Sequence, residues 1–189
     1  MQGNRLRQGS VRGRSAGFTL IELIMTVAIA AIMLTLAVPS FNDTIRNNRL
    51  TTAANNMMAG INTARAEAIR RGRLVSICPS ADGATCSADW SAGWMVYLEK
   101  DTVKMGSAPD IDTVLQVNDA TTKTVLTRTA GTKAYIRFGP RGTPEEAFTL
   151  QVKPDTCKSG YQIREVSIGA AGRPVLGKST SAGGVGAHD

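Results

Sequence analysis

The longest apolar stretch in the chain covers residues 18–38, with the sequence FTLIELIMTVAIAAIMLTLAV. Glu22 is the only charged residue among these 21, and Thr19, Thr26 and Thr35 are the only other polar ones. As an α-helix this stretch is about 30 Å long, which matches the hydrocarbon thickness of a lipid bilayer. We therefore expect a single helix that crosses a membrane over residues 18–38.

A basic segment precedes this helix. Residues 1–17 contain four arginines, Arg5, Arg7, Arg12 and Arg14, and no acidic residue. Because cationic flanks stay on the cytoplasmic side, this arrangement predicts that residues 1–17 remain in the cytoplasm and that the C-terminal part is exported. A conventional secretory signal peptide is the alternative, but its apolar region is usually about 7–15 residues long and ends at an A-x-A-like site. The run here is longer, and its end, AVPSF, lacks that site.

Glu22 lies near the start of the apolar helix, where a carboxylate is costly. At bilayer depth the cost is about 2.5 kcal/mol or more, and such residues generally have a partner or a function. If the chain were cut after Gly17, the new α-amino group of Phe18 would lie one helical turn before Glu22. That amine would supply a cation within the chain or to a neighbouring subunit. The alternative is that Glu22 reaches the lipid headgroups at the end of the span.

The sequence Gly17-Phe18-Thr19-Leu20-Ile21-Glu22 resembles the prepilin peptidase recognition site of type IV pilins and type II secretion pseudopilins. The resemblance implies cleavage between Gly17 and Phe18, N-methylation of Phe18 and a role for Glu22 in filament assembly. It also matches Pro39 to a proline found along the apolar helix in that family. Major pilins, minor pilins and pseudopilins share this site, so it indicates the class of protein and not the machine.

The helical pattern continues beyond Pro39. Because proline lacks a backbone N–H, we expect a kink there without an end to the helix. Apolar residues then recur mostly three or four positions apart, at Ile45, Leu50, Ala54, Met57, Met58, Ile61, Ala64, Ala68 and Ile69. Arg70 and Arg71, followed by Gly72, are typical of a helix C-terminus. The expected helix covers residues 18–71, and its amphipathic part, 39–71, packs on a head domain.

Short extended segments separated by turn residues follow the helix. Candidate strands lie at 74–78, 93–98, 113–116, 124–127, 134–138, 147–152 and 163–168. They alternate with turn sequences such as Asp82-Gly83 and Gly139-Pro140. We therefore expect an α+β fold, with the long N-terminal helix packed on an antiparallel β-sheet head at residues 72–178. The glycine-rich residues 179–189 are expected to form a flexible tail.

Three cysteines, Cys78, Cys86 and Cys157, lie in the part of the chain that we expect to be exported. An oxidising compartment favours at least one disulfide. We favour Cys78 with Cys86, because the seven residues between them carry an Asp-Gly turn that brings their ends together. Cys78 with Cys157 remains open. We expect no metal site and no cofactor, since the chain has no C-x-x-C pair and its single histidine, His188, lies in the tail.

The sequence from Cys78 to Cys86, CPSADGATC, is followed by Trp90 and by Gly93-Trp94-Met95-Val96-Tyr97. These features resemble the GspH/FimT family of minor pilins and pseudopilins, whose heads share a cross-linked loop and a W-x-x-G-W strand entry. Trp90 and Trp94 would bury large apolar areas beside that loop. The resemblance implies a low-copy subunit in a complex that primes or caps a filament.

Residues 172–179, GRPVLGKS, match the phosphate-binding pattern G-x-x-x-x-G-K-[ST]. That pattern binds phosphate only when a strand precedes it and a helix follows. The ten glycine-rich residues that remain after Ser179 leave no room for such a helix. We therefore interpret the match as a chance arrangement of turn residues after the last strand.

The same region contains candidate DNA contacts. Some FimT-like proteins bind DNA through a Gly-Arg-x-Arg pattern, whereas this sequence has Gly172-Arg173-Pro174-Val175 and lacks the second arginine. Arg164, Arg173 and Lys178 remain as a candidate basic patch. The formal charge of +7 falls to +3 without the four leader arginines, so composition gives little support for a nucleic-acid partner.

These observations favour a structural protein over an enzyme, because no catalytic set of side chains is recognisable. By resemblance, it is a minor type IV pilin that takes part in pilus assembly and so in twitching motility, adhesion or DNA uptake. Expected partners are other minor pilins, the major pilin, prepilin peptidase and the bacterial inner membrane. The alternatives are a GspH-type pseudopilin of a type II secretion system and a DNA-binding pilin for natural transformation.

Overall fold

The computed structural model describes residues 17–156 and 162–180, with side chains for all of these except 36–40, 179 and 180. The arginines of the leader, Cys157, His188 and most of the expected tail lie outside the described residues. The chain divides into two compact units, Met1–Asn42 and Asp43–Asp189.

One long helix, α1, extends from Leu20 to Arg71. It starts two residues later than expected because Thr19 caps it. Arg70 and Arg71 occupy its last turn, and Gly72 follows with φ of 65°, a left-handed conformation that glycine adopts without strain. The helix continues through position 39, and the kink expected at Pro39 stays a prediction.

The head contains two antiparallel sheets of four strands each. The first contains β1 (Val75–Pro79), β2 (Gly93–Glu99), β3 (Ile111–Asp119) and β5 (Ile136–Phe138), in the spatial order β3-β2-β1-β5. The second contains β4 (Thr124–Ala130), β6 (Phe148–Pro154), β7 (Gln162–Ile168) and β8 (Pro174–Thr180), in the order β4-β6-β7-β8. The α+β class with an antiparallel head is confirmed, and seven of these strands overlap the predicted segments.

The eighth strand corrects the sequence-based expectation. Residues 174–179 of the phosphate-binding pattern lie in β8, not in turns after the last strand, and β8 also includes the first two residues of the expected tail. Pro174 and Gly177 weaken the strand pattern in sequence. Both are tolerated because β8 is an edge strand with Pro174 at its first position. Pairing with β7 from Gln162 opposite Thr180 to Ile168 opposite Pro174 stabilises it.

A single main core joins the head part of α1 to both sheets. It includes Leu50, Ala53, Ala54, Met57, Ile61, Ala64 and Ala68 from α1, Val75, Ile77, Trp94, Val96, Leu98, Ile136 and Phe138 from the first sheet, and Leu126, Phe148, Leu150, Val152, Val166 and Ile168 from the second. The predicted stripe on α1 is therefore largely buried. The prediction was wrong for Ile69, which is 50% exposed near the end of the helix.

Within the described residues, no helical segment combines the length and the hydropathy needed to cross a membrane.

Candidate assembly segment and head surfaces

Thr19 and Glu22 define the start of α1. The backbone N–H of Glu22 donates to Thr19 Oγ1 at 3.3 Å, and the N–H of Leu23 donates to the Thr19 carbonyl at 3.1 Å. Thr19 is therefore the N-cap, and Glu22 is the third helical residue, where a negative charge is favoured by the helix dipole. Gly17 and Phe18 precede the helix, and Phe18 is 81% exposed. The sequence motif and the helix start thus coincide.

The first turns of α1 present apolar side chains to the outside. The exposed ones are Leu20, Ile21, Leu23, Ile24, Met25, Val27, Ile29, Ile32, Met33 and Leu34. The hydroxyl groups of Thr26 and Thr35 donate to the carbonyls of Leu23 and Ile32, at 2.9 and 2.7 Å, so the helix itself satisfies them. Glu22 remains as the only ionisable side chain in residues 18–42. A continuous apolar surface of this kind marks a region that other molecules cover.

The disulfide between Cys78 and Cys86 is present, as favoured from the sequence, with Cα atoms 5.6 Å apart. Asp82 organises the loop inside it. Its carboxylate accepts hydrogen bonds from the N–H groups of Thr85 and Ala84, at 2.8 and 2.9 Å, and from the hydroxyl of Thr85 at 2.7 Å. These donors hold the pKa of Asp82 well below its ordinary value of 3.8. The loop is thus fixed by a covalent bond and by one ionised side chain.

The two tryptophans after this loop connect the layers of the head. Trp90 lies in a short 3-10 helix, Trp90–Ala92, and its ring centroid is 5.6 Å from that of Phe148 on β6. Trp94 starts the buried face of β2 and packs on Gly60 of α1. Both indoles are buried, as the sequence predicted. The motif residues therefore join the first sheet to the second sheet and to the helix.

A buried ion pair lies on the other face of the first sheet. Arg137 Nε and Nη2 donate to the two carboxylate oxygens of Glu99, at 2.7 and 2.9 Å, and Ser76 donates to the same carboxylate. Arg137 Nη1 is 3.0 Å from a Glu145 oxygen. The Tyr135 ring stacks on the guanidinium, 4.6 Å from its centroid to Cζ. This cluster was missed from the sequence, because nothing in a sequence links residues 38 positions apart.

The same cluster fixes the loop between β2 and β3. Arg137 Nη1 donates to the Ser107 carbonyl at 2.9 Å, and the N–H of Gly106 donates to Glu145 at 2.8 Å. Between this loop, the disulfide and residues 133–135 lies a mainly apolar cleft of about 370 Å³. The carboxylates of Glu99 and Glu145 are paired with Arg137, and Glu145 also accepts from the Gly106 N–H. These charge-assisted contacts hold the loop between β2 and β3 in place. Among residues 17–156 and 162–180, no group of His, Cys, Asp and Glu is arranged to hold a metal ion.

The structure separates Arg173 from the other two candidate DNA contacts, and it buries one of those two. Arg164 is only 8% exposed, whereas Arg173 and Lys178 are exposed. Lys178 lies directly opposite Arg164 in the pairing of β7 with β8. Arg173 precedes the other end of β8, five residues away, which is roughly 16 Å along a strand. Arg164 is thus a buried residue that contacts α1 through Thr51, whereas Arg173 and Lys178 are exposed. DNA contact by these three residues stays a prediction.

Gly172, the glycine of the Gly-Arg pair, has a packing role. Its φ is 71°, and a Cβ atom at this position would lie 2.3 Å from the Gly142 carbonyl oxygen. That carbonyl also accepts a hydrogen bond from Arg65 Nε of α1 at 3.0 Å. The glycine is thus required where the turn before β8 meets another loop.

The fold combines a long N-terminal helix, whose first part is apolar and exposed, with an antiparallel β head. This combination is that of a pilin-like filament subunit. The chain belongs to the GspH family, since the family model described as type II transport protein GspH matches residues 53–172. The model of the prokaryotic N-terminal methylation motif matches residues 12–38. The protein is accordingly a minor pilin or pseudopilin of the type IV pilus and type II secretion families.

Similarity to individual proteins was also found. A pilin-like protein PilA1 of Thermus thermophilus is 27% identical over 165 residues, which are 85% of this chain and 97% of that protein. The crystal structure of the type IV minor pilin FimU of Pseudomonas aeruginosa PAO1 is 24% identical and has a TM-score of 0.52, over 69% of this chain and 90% of that one. The minor pseudopilin EpsH of Vibrio cholerae is 13% identical with a TM-score of 0.44, over 70% and 97% of the two chains.

Proposed function

We propose that this protein is a minor type IV pilin that takes part in priming or capping pilus assembly. The observation that carries the proposal is the N-terminal segment, residues 18–42. The apolar side chains described in it are exposed, and Glu22, four residues after Phe18, is its only ionisable side chain. A helix of this composition needs an apolar environment, first lipid and then the helices of other subunits. The family membership and the minor-pilin name of FimU support the same function.

The N-terminus is proposed to mature in two steps. Prepilin peptidase cuts between Gly17 and Phe18, and the new amine of Phe18 is methylated. Glu22 then pairs with the α-amino group of Phe18 in its own chain or in a neighbouring subunit, which sets the position of the helix in the filament. The position of Glu22 in the first helical turn supports this role, because the segment offers the amine no other carboxylate.

Before assembly, residues 18–38 are proposed to cross the inner membrane once, with the leader 1–17 in the cytoplasm and the head, 72–178, in the periplasm. This topology rests on the length and composition of residues 18–38 in the sequence, of which 36–38 have no described side chains, and on the four leader arginines. The disulfide between Cys78 and Cys86 is in keeping with an oxidising compartment. Residues 39–71 carry the head, and the residues after 178 are proposed to be its tail.

The partners proposed are other minor pilins and the major pilin, through helix packing and head contacts. The role is structural and not catalytic. Twitching motility and adhesion are the processes that such a subunit serves.

A minor pseudopilin of a type II secretion system is the second candidate, because the family model carries the description of a type II transport protein. The two candidates share their chemistry and differ in their neighbours. A pull-down with the head lacking residues 1–45 distinguishes them: recovery of minor pilins supports the pilus, and recovery of pseudopilins supports secretion. Recovery of neither set would reject the assembly function itself.

DNA binding remains a weaker candidate. Only Arg173 and Lys178 of the expected patch are exposed, and they stand near opposite ends of β8. We expect the Arg173→Ala, Lys178→Ala double variant to bind duplex DNA like the unmodified protein at low and moderate salt. A large loss of affinity that shrinks as salt rises would support DNA uptake.

The N-terminal proposal is tested by two substitutions followed in sheared filaments. Gly17→Ala is expected to block loss of the leader. Glu22→Ala is expected to be cut normally and yet to be missing from filaments, while Glu22→Asp, which keeps the charge, is expected to be partly incorporated. Normal incorporation of Glu22→Ala would remove the proposed pairing of Glu22 with the α-amino group.

A further inference from the structure

Arg164 occupies a core position of the head. The side chains of Arg164, Val166 and Ile168 lie on the inner face of β7, and all three are buried. Arg164 Nη2 donates to Thr51 Oγ1 of α1 at 3.3 Å, a long hydrogen bond. The Thr51 hydroxyl itself donates to the Asn47 carbonyl at 2.9 Å. Arg164 Nε and Nη1 are also buried and have no hydrogen-bond partner in the described part of the chain.

Among the described residues, no negative charge is paired with the guanidinium of Arg164. In the cross-strand row, Val152 lies on one side and Lys178 on the other, and directly opposed residues point to the same face. Glu165, the next residue on β7, points to the opposite face. In residues 17–156 and 162–180, no ion pair includes Arg164 or Lys178. The row therefore holds two positive charges.

A guanidinium cannot lose its proton at any ordinary pH. Burial without a counter-ion is therefore unfavourable, and the like charge of Lys178 adds to the cost. An anion between these two cations would remove both penalties, because it would accept from the free N–H groups of Arg164 and neutralise Lys178.

We propose that Arg164 and Lys178 form a binding site for one carboxylate, supplied by an acidic side chain of an adjoining subunit. The order of the second sheet places β8 at its edge, with Lys178 exposed on β8 and Arg164 buried on the next strand, β7. A single carboxylate on a flexible side chain can pass the edge strand beside Lys178 and approach Arg164, whereas the phosphates of a rigid duplex lie on a broad convex surface and reach only exposed cations. The identity of the carboxylate donor rests on the proposed filament function.

The site itself is tested without filaments, on the full chain in detergent with inorganic phosphate as the probe. Phosphate stabilises proteins in general, so each Tm is measured against sodium chloride at matched ionic strength and compared between variants. We expect phosphate to raise the Tm of the unmodified chain and of the Arg173→Gln control by about 2–4 °C more than that of Arg164→Met. Equal shifts in all three would overturn the site.

The stability of Arg164→Met in chloride gives a second readout. Removal of an unpaired buried charge should leave the Tm unchanged or raise it. A marked fall in Tm, or failure to fold, would show that Arg164 is already paired in the isolated subunit and would overturn the proposal.

The source of the carboxylate is tested in sheared filaments. Arg164→Met is expected to be incorporated about tenfold less than the Arg173→Gln control. Equal incorporation, with the phosphate response lost as expected, would overturn the assignment to a neighbouring subunit. Loss of duplex DNA binding in that case would reassign the site to nucleic-acid phosphate. If the unmodified protein is itself absent from filaments, the proposed function fails, while the phosphate comparison still decides whether the site exists.

Discussion

Gly60 of α1 lies against the indole of Trp94 so closely that a Cβ atom at position 60 would be 2.3 Å from Cη2 of the ring. Trp94 is 2% exposed and belongs to the main core. A glycine inside a helix costs about 1 kcal/mol relative to alanine. The contact with Trp94 offsets that cost, because the missing Cβ atom lets α1 and the first sheet approach each other with the indole of Trp94 between them.

Gly60→Ala is therefore expected to destabilise the head by about 1–3 kcal/mol, although alanine favours the helix. The measurement is urea unfolding followed by tryptophan fluorescence. Gly169→Ala is the matched control, since a Cβ atom there meets nothing within 4 Å. Adding Trp94→Phe to Gly60→Ala should recover part of the loss. A Gly60→Ala variant as stable as the control would contradict the close packing.

The disulfide gives a second prediction. Replacing Cys78 and Cys86 by serine should lower the free energy of unfolding by about 2.5 kcal/mol, the loop-closure value for a loop of this length. Cys157→Ser should leave stability unchanged under the same oxidising conditions. If Cys157→Ser were as destabilising as Cys78→Ser, the pairing of Cys78 with Cys157 would have to be reconsidered.

The ion pair of Arg137 with Glu99 is buried, so its disruption should be costly. Arg137→Met is expected to lose about 3–5 kcal/mol, because Glu99 would be left as an uncompensated buried charge. Lys100→Met breaks the exposed pair of Lys100 with Asp110, 2.9 Å apart, and should lose less than about 1 kcal/mol. Chemical unfolding of both variants makes the comparison, and equal losses would refute the distinction.

Asp82 predicts a pH dependence. Because its pKa is lower in the folded than in the unfolded chain, its contribution to stability is complete above the ordinary value of 3.8 and is lost as the pH falls through the lower folded value. The stability difference between the unmodified protein and Asp82→Asn should therefore shrink from about pH 6 to about pH 3. Thr85→Val, which keeps the carboxylate and removes one donor, should show an intermediate difference. A pH-independent difference would contradict the role of the ionised carboxylate.

Local patterns in the sequence predicted much of this fold. The three-to-four spacing from Leu50 to Ala68 located the buried face of α1, and the Asp-Gly turn identified the correct cysteine pair. β8 escaped because Pro174 and Gly177 weaken a strand that depends on its pairing with β7. Contacts between distant segments, such as that of Gly60 with Trp94, could not be predicted from the sequence, because they depend on how the helix and the sheets pack together.

Among the candidate functional residues, those of the N-terminal motif were predicted from the sequence, whereas the burial of Arg164 was not. Gly17, Phe18 and Glu22 form a continuous motif, so a sequence can display it. Arg164 was grouped with Arg173 and Lys178 in a candidate basic patch because all three are cationic residues of the C-terminal region. Its burial follows from the alternation of β7, in which Val166 and Ile168 lie on the same face.

The most direct test of the filament function is the intact mass of the protein recovered from sheared surface filaments. We expect a single species that begins at Phe18, carries one added methyl group and keeps the Cys78–Cys86 disulfide. Detection only as the uncut chain of 189 residues, or as a product that begins elsewhere, would contradict the proposed maturation and with it the role of Glu22.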